Sequence, residues 1–127
     1  MTTTAHPFLH GEFAPVREEL TATDLEVTGT LPVELEGRYL RNGPNPVGPV
    51  DPASHHWFLG NGMVHGVRLR GGRAEWYRNR YIRTADVTNV LGGEPCPSQW
   101  PAGHPAFSAN TNVRSEEHTS ELQSRGL

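Results

Sequence analysis

Residues 64–81 contain the feature that most constrains the fold, two strand-like runs on either side of Gly71-Gly72. A two-residue hairpin loop needs positive φ angles, which glycine adopts without steric penalty. The turn predicts an antiparallel hairpin whose side chains alternate between two faces. Its expected cross-strand pairs are Arg70 with Arg73, Leu69 with Ala74, Arg68 with Glu75, Val67 with Trp76, Gly66 with Tyr77 and His65 with Arg78.

The composition favours a small all-β fold around this hairpin. The 14 glycines and 11 prolines together make 25 of the 127 residues, and only 35% of the residues are apolar. This mixture is typical of short strands joined by turns, and it is unusual for a helical bundle. A chain of this length is one small domain or part of a larger one.

Two further strands and two loops are expected outside the hairpin. Alternation of apolar and polar residues predicts strands over residues 24–30 and 37–41. The stretch 42–52 is expected to be a loop without ladder pairing, because its prolines lack a backbone N–H. Residues 86–110 show no clear period, so a long loop is expected there.

Charge and cysteine content exclude several classes of partner and location. The formal charge is -3, with 11 basic residues against 14 acidic ones. The chain therefore has no excess of positive charge with which to bind nucleic acid. The single cysteine, Cys96, permits no internal disulfide. No stretch reaches the roughly 18 apolar residues of a membrane span. We therefore expect a cytoplasmic chain that binds no nucleic acid.

Seven histidines invite a metal-site hypothesis, which their spacing does not support. His55 and His56 are adjacent, so on a strand they would point to opposite faces. No Cys-x-x-Cys or His-x-x-x-His framework accompanies them. The other histidines considered are His6 and His10 in an unpatterned terminus, His104 between glycine and proline, and His118 near the C-terminus.

Two central motifs are interpreted as structural. Alternation places His65 on the same face as Met63 and Val67, where a lone histidine is more often a hydrogen-bonded core residue than a ligand. Gly60-Asn61-Gly62 resembles a phosphate-binding turn only superficially, because no helix is expected after it and the chain contains no lysine. The carboxylates, including Asp86 and Glu94, show no pairing for acid-base chemistry. Local patterns alone therefore identify no catalytic, cofactor-binding or metal-ligating residue.

Three stretches in the same order resemble the N-terminal end of the carotenoid oxygenase family. Residues 29–46 (GTLPVELEGRYLRNGPNP) are similar to the family's entry motif. Residues 56–65 (HWFLGNGMVH), continuing to 79–84 (NRYIRT), are similar to its first complete hairpin, and residues 109–113 (ANTNV) resemble the next strand. Residues 59–61 depart from the Asp-Gly-Asp that many members carry, which leaves the substrate open.

The resemblance implies a seven-bladed β-propeller, of which this chain would supply the first one to two blades. It also implies a ferrous ion held by four histidines, with glutamates around them, and cleavage of a conjugated carbon-carbon double bond by dioxygen. In the family the four iron histidines and the first of these glutamates lie beyond the strand at which this chain stops. His65 is therefore not assigned as an iron ligand, and we expect the chain alone to be inactive.

The chain is accordingly expected to contain three regions: a flexible N-terminus over residues 1–12, propeller sequence over 13–113, and a non-native tail over 114–127. The first eleven residues of the tail resemble the conceptual translation of a sequencing adapter. Unclosed sheet edges are expected, with Met63, Val67, Leu69 and Trp76 lacking part of their cover.

Two alternatives stay open at this point. One is a carotenoid or retinoid isomerase of the same fold. The other is a stand-alone β-rich binding module that acts through exposed aromatic side chains. Those aromatic residues are Trp57, Trp76, Tyr77 and Trp100. The full-length protein would act on an apolar small molecule and dioxygen, and its peripheral contact with a membrane is left open.

Overall fold

The computed structural model describes residues 6–96 and 108–114. Within them, four antiparallel strands form one sheet in the order β1-β4-β3-β2, and one short helix follows. The elements are β1 (Thr21–Thr23), β2 (Gly37–Pro44), β3 (Gly62–Arg70), β4 (Arg73–Tyr81) and α1 (Ala85–Leu91). The β3-β4 hairpin is the centre of the sheet, which confirms the main prediction from sequence. No helix in the described part of the chain is long and apolar enough to cross a membrane.

The hairpin turn is the predicted one, but the register beyond it is wrong. Gly71 and Gly72 have φ angles of 59° and 77°, and Leu69 pairs with Ala74 as expected. A β-bulge at Glu75 then shifts the pairing by one residue, so that Val67 lies opposite Tyr77 and not Trp76. The remaining corrected pairs are Arg68 with Trp76, Gly66 with Arg78 and His65 with Asn79.

The bulge decides which side chains of β4 reach the core. Uninterrupted pairing would place Arg78 and Arg80 on the same face as Met63, where burial of unpaired guanidinium groups is costly. The extra residue instead places Tyr81 opposite Met63. The exposed Arg78 then stacks over the Trp76 ring at 4.7 Å on the other face. Tyr77, Asn79 and Tyr81 thus lie on the face of Met63, and the two arginines lie on the opposite face.

Three other predictions about strands and loops are also wrong. The first strand is β1 and not residues 24–30, because Asp24 has a positive φ of 53° that ends regular pairing. The second strand extends to Pro44, where the proline occupies the last position of an edge strand and its missing N–H costs no ladder bond. Residues 109–113 are not in a strand.

Helix α1, apart from its first residue, lies inside the region expected to be a loop. It begins after Thr84, ends at Gly92 with a φ of 86°, and buries Val87 completely. The sequence signals for this helix are weak, because it has only seven residues, one buried apolar position and a glycine after its last turn. This explains why the helix was not predicted from sequence. The part of residues 86–110 that falls within 97–107 lies outside the described residues.

The small core sits at the open end of the hairpin, far from the turn. Met63, Tyr81 and Val87 are buried together, and Val16 and Val47 pack against them. Met63 has no exposed surface, so the expectation that it would lack cover is wrong. Helix α1 and two loop segments cover this end of the sheet, while Tyr39 on β2 remains 64% exposed.

Residues near the N-terminus pack against the rest of the chain. Two 3₁₀ turns, Pro7–Leu9 and Gly11–Phe13, lead into the segment that contributes Val16 to the core. The Phe8 ring stacks on Trp57, with centroids 5.3 Å apart and planes inclined by 9°. The flexibility expected for residues 1–12 stays a prediction, and residues 6–12 make these contacts in the structure.

We expect Gly62→Ala to destabilise the fold by about 1–3 kcal/mol, because the new methyl group would overpack a backbone contact. A Cβ at Gly62 would clash with the carbonyl oxygen of Ala109, and the Gly62 N–H donates to Ser108 O at 2.6 Å. Gly43→Ala is the matched control, since a Cβ there meets nothing within 4 Å. Urea unfolding followed by tryptophan fluorescence measures both, and equal midpoints would contradict the prediction.

Candidate functional site

The core-side face of the sheet carries a row of hydrogen-bonded polar side chains. Nδ1 of His65 lies 2.6 Å from the Tyr77 hydroxyl oxygen, and Asn79 Nδ2 donates to the same oxygen at 3.2 Å. Partial burial lowers the pKa of His65, and the positive charge of Arg41, its pairing partner on the neighbouring strand β2, lowers it further. His65 is therefore neutral at neutral pH. Its place beside Met63 and Val67, with a hydrogen bond, matches the structural interpretation made from sequence.

Asn45 is a buried connector that sequence reasoning missed. Its side chain is 5% exposed and clamps the Val16 backbone, accepting from the N–H at 2.7 Å and donating to the C=O at 2.9 Å. It also donates to the Tyr81 hydroxyl at 2.6 Å, which in turn donates to Pro46 O at 3.1 Å. Burial raises the pKa of Tyr81, so its hydroxyl stays protonated. These bonds join residues 29 and 36 positions apart.

Gly60-Asn61-Gly62 acts as a structural clasp in the described chain. The Asn61 side chain accepts from Val47 N–H at 3.0 Å, and the Asn61 carbonyl accepts from Asn45 N–H at 2.7 Å. A Cβ at Gly60 would lie 2.9 Å from Asn45 N, so close backbone approach explains that glycine. Strand β3 follows the turn, and no helix N-terminus is present there to bind a phosphate. The turn therefore holds the proline-rich segment against the sheet.

Glu19 and Arg83 form a partly buried ion pair beside the core. Arg83 Nη2 lies 2.5 Å from Glu19 Oε1, and Glu19 Oε2 accepts from Tyr81 N–H at 2.9 Å. Partial burial alone would raise the pKa of Glu19, but these two hydrogen bonds and the nearby arginine charges outweigh it and lower the pKa. No sequence signal links the two residues, which are 64 positions apart.

Because of this ion pair, we expect part of the free energy of unfolding to be lost in acid. A carboxyl whose folded pKa is lowered stabilises the fold above its unfolded pKa, about 4.3, and this contribution is lost as the pH falls through the folded value. We expect Glu19→Gln to cost about 0.5–1 kcal/mol at pH 7, since the pair is partly exposed, and nothing near pH 2. Urea midpoints from pH 7 to 2 measure this effect. A cost that does not change with pH would contradict it.

The histidines outside the sheet are not gathered at one place in the described chain. His6, His55 and His56 belong to the N-terminal segment and the turn beside Trp57, whereas His10 is exposed. His104 and His118 lie outside the described residues. In the part of the chain that the structure describes, no three His, Cys, Asp or Glu side chains converge as a metal site.

The three described aromatic residues that were named for a binding module, Trp57, Trp76 and Tyr77, do not form one surface. Trp57 packs with Phe8 and Phe13, whereas Trp76 on β4 is paired with Arg68 of β3, nearer the hairpin turn. Tyr77 is engaged by His65 on the core-side face, and Trp100 lies outside the described residues. A largely apolar groove, of about 620 Å³, runs between the N-terminal segment, the proline-rich loop and α1. Its lining includes Leu9, Val16, Val47, Val50, Val90 and Leu91.

Comparison with protein families and curated proteins gives consistent matches. The family model described as retinal pigment epithelial membrane protein matches residues 13–116. A carotenoid cleavage oxygenase of Mycobacterium tuberculosis is 63% identical over 113 residues, covering 85% of this chain and 22% of that protein. Carotenoid 9,10(9',10')-cleavage dioxygenase 1 of Pisum sativum is 46% identical over 82 residues, covering 63% of this chain and 15% of that protein. The chain thus spans 22% or less of the length of these two relatives.

Two solved structures share the backbone arrangement. Pseudomonas brassicacearum lignostilbene dioxygenase matches with a TM-score of 0.57 and 30% identity, over 65% of this chain and 17% of that one. A mutant of the Synechocystis apocarotenoid oxygenase matches with a TM-score of 0.51 and 28% identity, over 61% of this chain and 16% of that one. In both cases the chain corresponds to a small part of a larger fold.

Proposed function

The chain belongs to the carotenoid oxygenase family, and from this we propose that it is the N-terminal part of a non-haem iron dioxygenase. The full-length protein would cleave a conjugated carbon-carbon double bond with dioxygen and release two carbonyl products. Its substrate would be a carotenoid, an apocarotenoid or a stilbene-like molecule. The observation that carries the proposal is the 63% identity to the mycobacterial carotenoid cleavage oxygenase.

We infer a structural role for this segment. Carotenoid oxygenases are β-propeller enzymes, and the antiparallel sheet described above covers part of that fold. The 3-residue β1 and the 8-residue β2 are the two edges of the sheet. Because an edge strand presents unpaired backbone groups, the rest of a propeller is a natural source of cover. The segment would thus support the catalytic centre without contributing its reacting groups.

The described residues do not fit the iron site that the family implies. No metal-binding group of three or more His, Cys, Asp or Glu side chains is found among them. The neutral His65 is hydrogen-bonded to the Tyr77 hydroxyl through Nδ1, and the row of polar side chains His65, Tyr77 and Asn79 contains no carboxylate. The proposal therefore assigns the iron ligands to the rest of the full-length protein. The apolar substrate and dioxygen would bind there too, and the cytoplasmic location stays a prediction.

A chimera tests the proposal directly. In the mycobacterial carotenoid cleavage oxygenase, the matched segment is replaced by residues 13–113 of this chain. We expect the purified chimera to contain iron and to cleave apocarotenoid or stilbene substrates into two carbonyl products, detected by mass spectrometry with ¹⁸O₂. The unmodified relative is the positive control, and the same protein with the segment deleted is the negative control. The 127-residue chain alone should contain no stoichiometric iron and give no product.

The isomerase alternative has to be tested on the full-length protein, because the chimera takes its reacting groups from the relative. A full-length, iron-loaded protein that yields only a geometric isomer of the substrate would replace the dioxygenase proposal by the isomerase. A folded, iron-loaded chimera that leaves every substrate unchanged would overturn the proposal. Stoichiometric iron or cleavage by the chain alone would contradict the assignment of the iron ligands to the rest of the protein.

A further inference from the structure

Strand β2 is an open edge of the sheet. Two of its apolar side chains are exposed, Tyr39 at 64% and Leu40 at 43%. In the described chain, β2 pairs with β3 on one side, and no described residue hydrogen-bonds to its outer backbone groups. An edge of this kind is a template for a further strand. A partner strand therefore has to match the N–H and C=O groups that β2 turns outward.

Alternation along the strands identifies these outward-facing groups. The Asn45 N–H donates to Asn61 O at 2.7 Å, so this pair faces across the junction of β2 and β3. The next carbonyl, that of Gly62, instead accepts from Ile82 N–H at 2.9 Å on the β4 side. In an antiparallel ladder, successive residues direct their backbone groups to opposite sides of the strand. The residues of β2 that face away from β3 are therefore Arg38, Leu40 and Asn42.

One register lets two copies of β2 pair along this edge. Hydrogen-bonded partners must both face outward, and a two-fold axis at Leu40 places Leu40 of one copy opposite Leu40 of the other. Arg38 of each copy then lies opposite Asn42 of the other. Each such pair exchanges both of its N–H···O bonds, so this register uses every outward-facing residue of β2.

The side chains agree with this register on both faces. Leu40 lies over Gly66 beside Trp76, since a Cβ at Gly66 would be 2.9 Å from Leu40 Cδ2 and 3.7 Å from Trp76 Cζ3. Two copies joined at Leu40 would therefore form one apolar row across both sheets. On the other face, Tyr39 lies opposite Arg41 of the second copy, whose guanidinium can stack on the exposed ring.

Other registers of the same edge are less favourable. An axis at Arg38 would place two Arg38 side chains opposite each other, and like charges in that position are destabilising. An axis at Asn42 would bring Pro44 into the new ladder, where it has no N–H to donate. An axis at Tyr39 would place Asn42 opposite Glu36, which lies outside β2.

The opposite edge of the sheet is poorly suited to pairing. Strand β1 has three residues and ends before Asp24, whose φ is 53°. The Arg80 side chain also donates to Leu20 O at 2.9 Å and to Thr21 Oγ1 at 2.8 Å at the start of this strand. Each copy thus offers one long edge, so association through β2 closes at two copies and does not continue into a fibre.

From these features we propose that the 127-residue chain forms a symmetric dimer through the β2 edge, as one continuous antiparallel sheet centred on Leu40. The chain spans 22% of the mycobacterial relative, and in a full-length protein the remaining residues would compete for this edge. The inference therefore concerns the 127-residue chain. It depends neither on iron nor on the proposed catalytic activity.

Analytical ultracentrifugation tests the association, with Cys96→Ser in every chain to exclude a disulfide through the exposed cysteine. We expect the mass to rise with concentration from 14.0 kDa towards twice that value and no further. Leu40→Pro should weaken the dimer at least roughly tenfold, because it removes the central outward N–H without removing a bond to β3. Leu40→Lys should weaken it as well, by placing two like charges on the axis. Leu59→Lys, at an exposed position outside the sheet, is the matched control and should leave association unchanged.

Paired cysteines test the register. In the same Cys96→Ser background, a Tyr39→Cys chain mixed with an Arg41→Cys chain should form a disulfide-linked mixed dimer under mild oxidation. The two positions would lie directly opposite, at about 4.5 Å between Cα atoms, which a disulfide can span. Either chain alone should cross-link much less, because its two cysteines would be displaced by roughly 7 Å along the strands.

Four results would overturn the dimer. The first is a mass that stays at 14.0 kDa up to about 1 mM chain, and the second is growth beyond twice that mass. The third is association that is unchanged in both Leu40 variants. The fourth is equal cross-linking of the mixed and unmixed cysteine chains, which would show that β2 does not pair with Leu40 on the axis.

Discussion

Met63→Ala is expected to destabilise the chain by about 2–5 kcal/mol, the usual cost of emptying a fully buried site of this size. Met63 has no exposed surface and contacts the two other buried apolar side chains, Tyr81 and Val87. With a core this small, neighbouring side chains have few alternative partners with which to fill the cavity. Urea unfolding followed by tryptophan fluorescence should show a much lower midpoint.

Leu59→Ala is the control for that measurement. Leu59 is 71% exposed, so the same kind of truncation should change stability by less than about 0.5 kcal/mol. Met63→Leu, which conserves most of the volume, should recover most of the loss. Equal effects of Met63→Ala and Leu59→Ala would mean that the buried cluster does not form in solution.

Asn45→Ala is expected to cost about 2–4 kcal/mol, because it leaves buried polar groups without partners. The backbone N–H and C=O of Val16 would both lose their side-chain partner, and the Tyr81 hydroxyl would lose a donor. Asn45→Asp is the informative second variant. It keeps an acceptor for the Val16 N–H but offers no donor to the Val16 C=O. Because it also buries a carboxylate, we expect it to lower the free energy of unfolding at least as much as Asn45→Ala.

The matched control for Asn45 is Asn89→Ala on helix α1, where the side chain is exposed. We expect a change within about 0.5 kcal/mol there. Amide hydrogen exchange at Val16 adds a local measurement, since protection should fall in Asn45→Ala and stay unchanged in Asn89→Ala. Unchanged protection of Val16 in Asn45→Ala would show that the clamp is absent.

Local turn chemistry could be predicted from the sequence, and the hairpin shows how far it extends. Gly71-Gly72 determined the turn and the pairing of Leu69 with Ala74. Beyond that point the register depends on which β4 side chains can be buried against α1 and the loops. That information is tertiary, and the bulge at Glu75 could have been inferred only by asking where Arg78 and Arg80 would point.

The hydrogen bonds of Asn45 and the capping role of His56 could not be predicted from the sequence for a different reason. Asn45 stands between two prolines, a context that indicates a loop and gives no sign of burial. Its partner Val16 lies in a segment without periodicity, and the pair is joined only once the chain has folded. The histidine spacing was interpreted on the assumption of a strand, whereas His56 caps a 3₁₀ turn. A cap at this position is visible in sequence only if the turn itself is predicted.

The bulge at Glu75 also determines where this hairpin can change in length during evolution. Glu75 has no partner of its own on β3, since Arg68 and Leu69 pair with Trp76 and Ala74. Deleting it would leave every remaining β3-β4 pair and both faces unchanged. Deleting a residue between 76 and 80 would exchange the two faces for part of β4 and expel side chains from the core. Alignment gaps within β4 should therefore concentrate at this single position.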